Sequence, residues 1–253
     1  MGFGLVLSGG GTRGIAHLGL LKVLDEIGVK PSVISGCSSG AIAGALYASG
    51  YSPDEILDIV KQIRLLKILR PALKKTGLLK MDVTEALYLQ FITKNSFEEL
   101  SIPLYVAATD LQLGQTKYFS SGELIRPLMA SSSVPVLFDP VRIGGQCFVD
   151  GGLINNFPAE IIKDRCDKLL GFHCNPVDEQ FELTNIKSMI ERTFLLTINA
   201  NAKIQMQFCD LLVEPPALKK HKVFSFNKTD ELFDIGYQYG KSIESQLRTF
   251  LEV

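Results

Sequence analysis

The chain has 253 residues, 46% of them hydrophobic and 21% charged, with 26 Lys and Arg against 27 Asp and Glu. Figures this close to the globular average exclude disorder, collagen and coiled-coil arrays, and the length suits one large domain or two small ones. A formal net charge of -1 gives no global field to draw in phosphates, so nucleic acid is not an expected partner.

Residues 3–8 are a short apolar run ended by Gly9-Gly10-Gly11, the pattern of a buried strand. Residues 12–27 carry Ile15, Leu18, Leu21, Leu24 and Ile27 at helical spacing, with Gly28 placed to end the helix. Residues 32–35 read as a second strand and 39–49 as a helix rich in Ala and Gly. This alternation builds a parallel sheet covered by helices. Residues 53–93 are helical in pattern, interrupted at Pro71 and Gly77, with Asp82 and Glu85 as a helix-start signature.

Inside that stretch, residues 59–81 hold seven basic side chains (Lys61, Arg64, Lys67, Arg70, Lys74, Lys75, Lys80) and no acidic one. Without them the rest of the chain has 19 basic against 27 acidic residues, a balance of -8. Twelve of the 23 residues are apolar, and the cations from Lys61 to Lys74 recur every three or four positions. A basic amphipathic helix is a membrane-surface signature; a solvated face neutralised by the acidic body is the alternative.

Strands are expected at 103–109 and 116–120, a helix at 123–131, and a hairpin pairing 141–143 with 147–149 around Gly144-Gly145. A strand at 168–173, a helix at 184–208, a strand at 211–213 and a helix at 229–251 complete the chain. With no internal repeat or linker, residues 1–253 read as one α/β domain with a helical insertion at about 52–96. The five cysteines (Cys37, Cys147, Cys166, Cys174, Cys209) show no repeating spacing, which predicts mostly buried, reduced thiols and no zinc ribbon. No basic n-region precedes Leu5-Val6-Leu7 and no apolar run approaches a bilayer span. A cytoplasmic protein without a signal peptide is expected, and no metal or cofactor.

Gly9-Gly10-Gly11-Thr12-Arg13-Gly14 lies between a strand and a helix, where the helix start offers free N–H groups to an anion. The run satisfies the G-x-G-x-x-G dinucleotide pattern, but the acidic residue that would hold a ribose is missing from the end of the second strand, which is Gly36-Cys37-Ser38 instead. Gly36-Cys37-Ser38-Ser39-Gly40 matches G-x-S-x-G, between a strand and a helix, the context of a nucleophile elbow. Ser38 is the central residue, and Ser39 does not fit the spacing. A serine nucleophile needs a base. Of the three histidines, His17 lies within a helix, His221 in a basic stretch, and His173 at a strand end is the best placed of them. The other candidate is Asp150, at a strand end before Gly151-Gly152. Burial without a cationic partner would raise its pKa toward the range a base needs.

In order along residues 3–158, these blocks resemble the patatin-like phospholipase family, close to its bacterial members and its neuropathy-target-esterase-like branch. The carriers are Gly9–Gly14 with His17-Leu18-Gly19, Gly36–Gly40, Ala130-Ser131-Ser132-Ser133-Val134-Pro135, and Asp150-Gly151-Gly152 with Asn155-Asn156-Phe157-Pro158. The resemblance implies a three-layer α/β fold with a mostly parallel central sheet and a helical cap insertion. It also implies a serine lipid acyl hydrolase with a Ser38–Asp150 dyad and no histidine, an oxyanion hole in the loop of Gly9, Gly10, Gly11, Thr12, Arg13 and Gly14, and a lipid ester substrate. Arg13 would brace the loop or bind an anionic head group, the first being favoured. Cys37, where the family commonly has a small hydroxyl residue, and Val136, where it commonly has glycine, depart from the pattern without touching the dyad. Competing readings are a silent lipid- or nucleotide-binding module and an acyltransferase. The candidate membrane contacts, facing an anionic inner leaflet, are Lys61, Arg64, Lys67, Arg70, Lys74 and Lys75.

Overall fold

The computed structural model describes residues 2–69, 81–135, 137–223 and 226–253, with side chains for all of these except 64–69, 81–84, 187 and 226. The elements run β1 (Phe3–Leu7), a 3-10 turn (Gly11–Ile15), α1 (Ala16–Ile27), β2 (Val33–Cys37), α2 (Ser39–Ala48), α3 (Pro53–Leu69) and α4 (Met81–Phe91). They continue with β3 (Leu104–Asp110), β4 (Gln115–Phe119), α5 (Ile125–Ser131), β5 (Val141–Ile143), β6 (Gln146–Asp150), β7 (Lys168–Phe172), α6 (Ile186–Met206), β8 (Leu211–Val213), α7 (Thr229–Ser242) and α8 (Glu244–Leu251).

Two expected helices differ. The one predicted from residue 12 opens as a 3-10 turn, because Gly11 takes φ 55 and its neighbour Thr12 turns its N–H to Val223 O at 2.8 Å. The terminal helix is two helices that break at Ile243, where φ is -109 and ψ 13. Pro71, Gly77 and Val136 lie outside the described residues, as does the side chain of Asp82.

Strands β8, β7, β1, β2 and β3 pair in parallel, with β1 held between β2 (Leu5 opposite Ile34) and β7 (Leu5 opposite Leu170). Every residue of β1 and β2 is buried, as in parallel strands covered on both faces. Alternation divides the two cores. Leu5, Leu7, Ile34, Leu170 and Phe172 join Leu18 and Leu21 of α1 and Phe233 of α7 on one side. Val6, Val33 and Leu169 join Phe157, Ile162 and Ala202 of α6 on the other. The layers are therefore helices, a mixed and mostly parallel sheet, and helices again, as expected from the alternating pattern.

The far end of the sheet positions the site. Strand β3 pairs through Leu104–Ala107 with β2 in parallel, through Ala108–Asp110 with β6 antiparallel, and through Val106–Asp110 with β4 antiparallel. Because Val106 and Ala107 face both β2 and β4, and Ala108–Asp110 face both β4 and β6, strands β2 and β6 must share one edge of β3. They run toward each other and meet end to end, with Cys37 opposite Ala107 and Asp150 opposite Ala108. The residues just past Cys37 and at the end of β6 are thereby brought together.

Candidate active site

Ser38 sits between β2 and α2 at φ 50 and ψ -121, a left-handed setting that L-residues adopt only when their surroundings impose it. What imposes it is close packing of α2 on β1: a Cβ on Gly40 would lie 2.3 Å from Leu7 O. A Cβ on Gly36 would lie 2.7 Å from Ala41 N. The Ser38 N–H donates to Ser131 Oγ at 2.8 Å, and Ser131 Oγ donates to Ala107 O at 2.6 Å. The turn is thus pinned to β3 through α5.

The Ser38 hydroxyl donates to Asp150 Oδ2 at 2.7 Å. Asp150 Oδ1 accepts the Gly152 N–H at 2.8 Å, and its own N–H donates to Ser133 O at 2.9 Å. The Cys37 thiol faces Oδ1 at 3.9 Å. Asp150 is 2% exposed and no cation partners it among the described residues, so burial raises its pKa from 3.8 to about 6 even though Ser38 and Gly152 hydrogen-bond the carboxylate. Gly151 has no room for a Cβ, which would lie 2.4 Å from Ala107 O.

The glycine loop passes over this pair. Gly9 touches the nucleophile, since a Cβ there would lie 3.2 Å from Ser38 Cβ. The structure narrows the expected set of oxyanion donors. The N–H groups of Gly9, Thr12 and Arg13 are already given to Asn156 O, Val223 O and Gly10 O at 3.0, 2.8 and 3.1 Å. Gly14 is buried against Ser39, 2.2 Å from its Oγ by the same Cβ test, and serves packing. The N–H groups of Gly10 and Gly11 have no such acceptor among the described residues. Arg13, 3% exposed, donates to His221 O, Pro176 O and Lys219 O at 2.7, 3.3 and 3.4 Å, which ties the loop to the 219–221 and 176 segments and leaves its head away from solvent.

No histidine joins the serine. His173, the best placed of the three histidines, is buried, 2.6 Å from Glu214 Oε1 through Nδ1 and edge-on to Phe157, and is spent elsewhere. His17 Nε2 meets Ser8 O at 2.8 Å, and burial pulls its pKa down to about 4. His221 faces Glu231 at 3.5 Å.

The patatin-like phospholipase family profile matches residues 5–163, more than half of the chain. The chain belongs to the patatin-like phospholipase family. Among its relatives are human "Patatin-like phospholipase domain-containing protein 6", 27% identical over 94% of this chain. The "Lysophospholipase NTE1" of Saccharomyces cerevisiae is 28% identical over 94%. The chain spans about a fifth of the length of such relatives, 20% and 16% for these two. Its fold matches VipD from Legionella pneumophila with a TM-score of 0.63 at 14% identity, over 97% of this chain and 67% of that one. Human GIVD cytosolic phospholipase A2, solved with methyl gamma-linolenyl fluorophosphonate, matches with a TM-score of 0.52 at 11% identity, over 99% of this chain and 59% of that one.

Within this patatin-like site, several residues carry contacts that their sequence context did not assign. Ser131 and Ser133 stood in the middle block, and Asn156 followed the Asp motif, but only the fold reveals that they hold Ser38, Asp150 and Gly9. Ser131→Ala would leave the Ser38 N–H and Ala107 O unpaired, at a cost of about 1–3 kcal/mol. A urea melt is expected to register that loss as a lower midpoint.

An apolar cavity of about 210 Å³ opens beside Gly11 and Ser39, walled by Ile15, Leu18, Ile42, Leu46, Ile59 and Phe91. Of the cationic segment, Lys61 is described, and its Nζ lies 2.5 Å from Asp230 Oδ1. Arg70, Lys74, Lys75 and Lys80 lie outside the described residues, as do the side chains of Arg64 and Lys67. All five cysteines are free; Cys37 and Cys174 are buried and the other three half-buried, a more open set than expected. No helix among the described residues is long and apolar enough to cross a membrane.

Proposed function

We propose that the chain is a serine lipid acyl hydrolase that cleaves carboxylic esters through an acyl-enzyme on Ser38. The observation that carries this reading is the 2.7 Å hydrogen bond from Ser38 Oγ to a carboxylate whose burial raises its pKa to about 6. A carboxylate near 4 would hold a hydroxyl proton poorly; one near 6 is still ionised at neutral pH and accepts it better. As Ser38 Oγ bonds to the ester carbonyl carbon, its proton passes to Asp150. The oxygen that becomes negative is met by the N–H groups of Gly10 and Gly11, which have no acceptor among the described residues, and by the first turn of α2. Collapse expels the alcohol, which takes the proton from Asp150. A water, deprotonated by Asp150, then attacks the acyl-enzyme; the Ser38 Oγ–carbon bond breaks, Ser38 Oγ takes the proton back from Asp150, and the fatty acid is released.

The cavity beside Gly11 and Ser39 has the apolar lining an acyl chain needs. The relatives named as lysophospholipases and the structural neighbour named as a phospholipase favour phospholipid or lysophospholipid as the ester. The basic segment from Lys61 onward would bring the protein to the anionic inner face of a membrane from the cytoplasm. One experiment tests the reading. Vesicles of a total lipid extract, with and without anionic lipid, are incubated with the protein and the products profiled. Free fatty acid and the matching deacylated lipid are expected, faster with anionic lipid and slower after charge reversal at Lys61, Arg64 and Lys67. Wild-type protein that releases no fatty acid from any lipid would overturn the hydrolase reading; rates indifferent to anionic lipid would overturn the membrane contact.

A further inference from the structure

The carbonyl oxygen of Gly9 is held far more firmly than a loop carbonyl requires. Asn175 Nδ2 donates to it at 2.5 Å, Asn156 Nδ2 at 3.1 Å, and the Cys174 thiol lies 3.6 Å away. Both asparagines are buried, 0% and 2% exposed, and they reach Gly9 from segments 166 and 147 residues away in the chain. One partner satisfies a buried carbonyl. The second is bought at a visible cost, because Asn175 Oδ1 is itself buried without a partner. A stability role does not explain an amide oriented to crowd one carbonyl while its own oxygen goes unpaired.

The geometry of the peptide unit supplies the reason. The Gly9 carbonyl and the Gly10 N–H belong to one planar trans peptide, so they point in opposite directions. Fixing the oxygen from behind therefore aims the N–H forward. Hydrogen bonds accepted by the carbonyl also polarise the amide and make its N–H a stronger donor. Gly10 is seated directly against this support: a Cβ there would lie 2.3 Å from Cys174 Sγ and 2.8 Å from Asn175 Oδ1. Asn156 extends the frame to the base, since its N–H donates to Asn201 Oδ1 at 2.9 Å and Asn201 Nδ2 donates to Gly152 O at 2.9 Å.

We propose that Asn156 and Asn175 are positioning residues that orient and polarise the Gly9–Gly10 peptide so that the Gly10 N–H stabilises the oxyanion formed at Ser38. This rests on the acyl hydrolase reading and adds which side chains tune its transition state. An oxyanion donor acts in the transition state and not on ground-state binding, so its misplacement lowers kcat and spares KM.

The test compares wild type, Asn156→Ala, Asn175→Ala and the double variant on a soluble short-chain nitrophenyl ester. Fluorophosphonate labelling rates, pH profiles and thermal melts are measured alongside. Each single variant is expected to lose about 10- to 100-fold in kcat with KM within about twofold. The labelling rate should fall in parallel, and the pH midpoint set by Asp150 should stay in place. The double variant should lose less than the product of the single losses, because both amides act on one carbonyl. Asn175→Ser keeps a short donor and should recover part of the loss; Asn156→Ala carries the same test should Asn175→Ala not fold. Unchanged kcat, a shifted pH midpoint, or a loss that follows the unfolded fraction would overturn the proposal. A wild-type protein that neither hydrolyses the ester nor labels fails the hydrolase reading itself.

Discussion

Replacing Ser38 by Ala is expected to abolish labelling by an active-site fluorophosphonate and to lower ester turnover by about four orders of magnitude or more, since the covalent route is removed and only the oxyanion and binding contributions remain. The fold should persist. The Ser38 side chain makes one hydrogen bond, to Asp150, while the turn is held by its backbone N–H on Ser131 and by the packing of Gly36 and Gly40. A second substitution separates chemistry from conformation. At φ 50 and ψ -121 a Cβ is strained, and such settings cost on the order of 1–3 kcal/mol. Ser38→Gly should therefore melt above Ser38→Ala, the reverse of the usual ordering of glycine and alanine, while both are inactive. Equal labelling of wild type and Ser38→Ala would remove Ser38 as the nucleophile.

Asp150→Asn is expected to lower kcat/KM by about 10²- to 10⁴-fold, the range of a positioned base. Wild-type kcat/KM should climb with pH and level off above about 6, because the carboxyl, raised from 3.8 to about 6 by burial, must be ionised to take the Ser38 proton. Its effect on stability has the opposite sign to that of an ordinary salt-bridged carboxylate. The folded state holds the proton more tightly than the unfolded chain. Stability from this group is thus fully present below pH 3.8 and lost as pH rises through about 6. The loss by neutral pH is on the order of 3 kcal/mol. Asparagine never bears that charge, so Asp150→Asn should melt above wild type at pH 7, with the gain shrinking toward pH 4. Full activity of the variant would return attention to His173, and a pH profile flat between 5 and 8 would exclude Asp150 as the base.

The secondary structure was largely legible because its signals are local. The fully buried strands β1 and β2, the glycine that closes α1 at Gly28 and the glycine turn between β5 and β6 each rest on a few adjacent residues. The Ser38 turn was legible for the same reason, since Gly36 and Gly40 stand two residues to either side. The choice of base was not. Asp150 and His173 both end strands, and a sequence ranks two strand ends only by resemblance to other chains. Nor could the sequence tell which loop N–H groups are free, because the acceptors that consume three of them belong to Gly10, Asn156 and Val223, two of these far along the chain.

By itself the sequence determined the alternating α/β pattern, the strained turn around Ser38, the glycine loop ahead of the first helix and the basic segment beside an acidic body. Each depends on spacing within a few turns of chain. Tertiary structure alone decided that Ser38 meets Asp150 across 112 residues. It did so through the pairing of β3, which sets β2 and β6 end to end on one edge. It also decided that His173 is spent on Glu214, and that the N–H groups of Gly10 and Gly11 have no acceptor among the described residues while the Gly9 carbonyl is clamped by two asparagines. These outcomes depend on which distant donors and acceptors the folded sheet brings within about 3 Å of one another, and that distance is not written in the spacing of any motif.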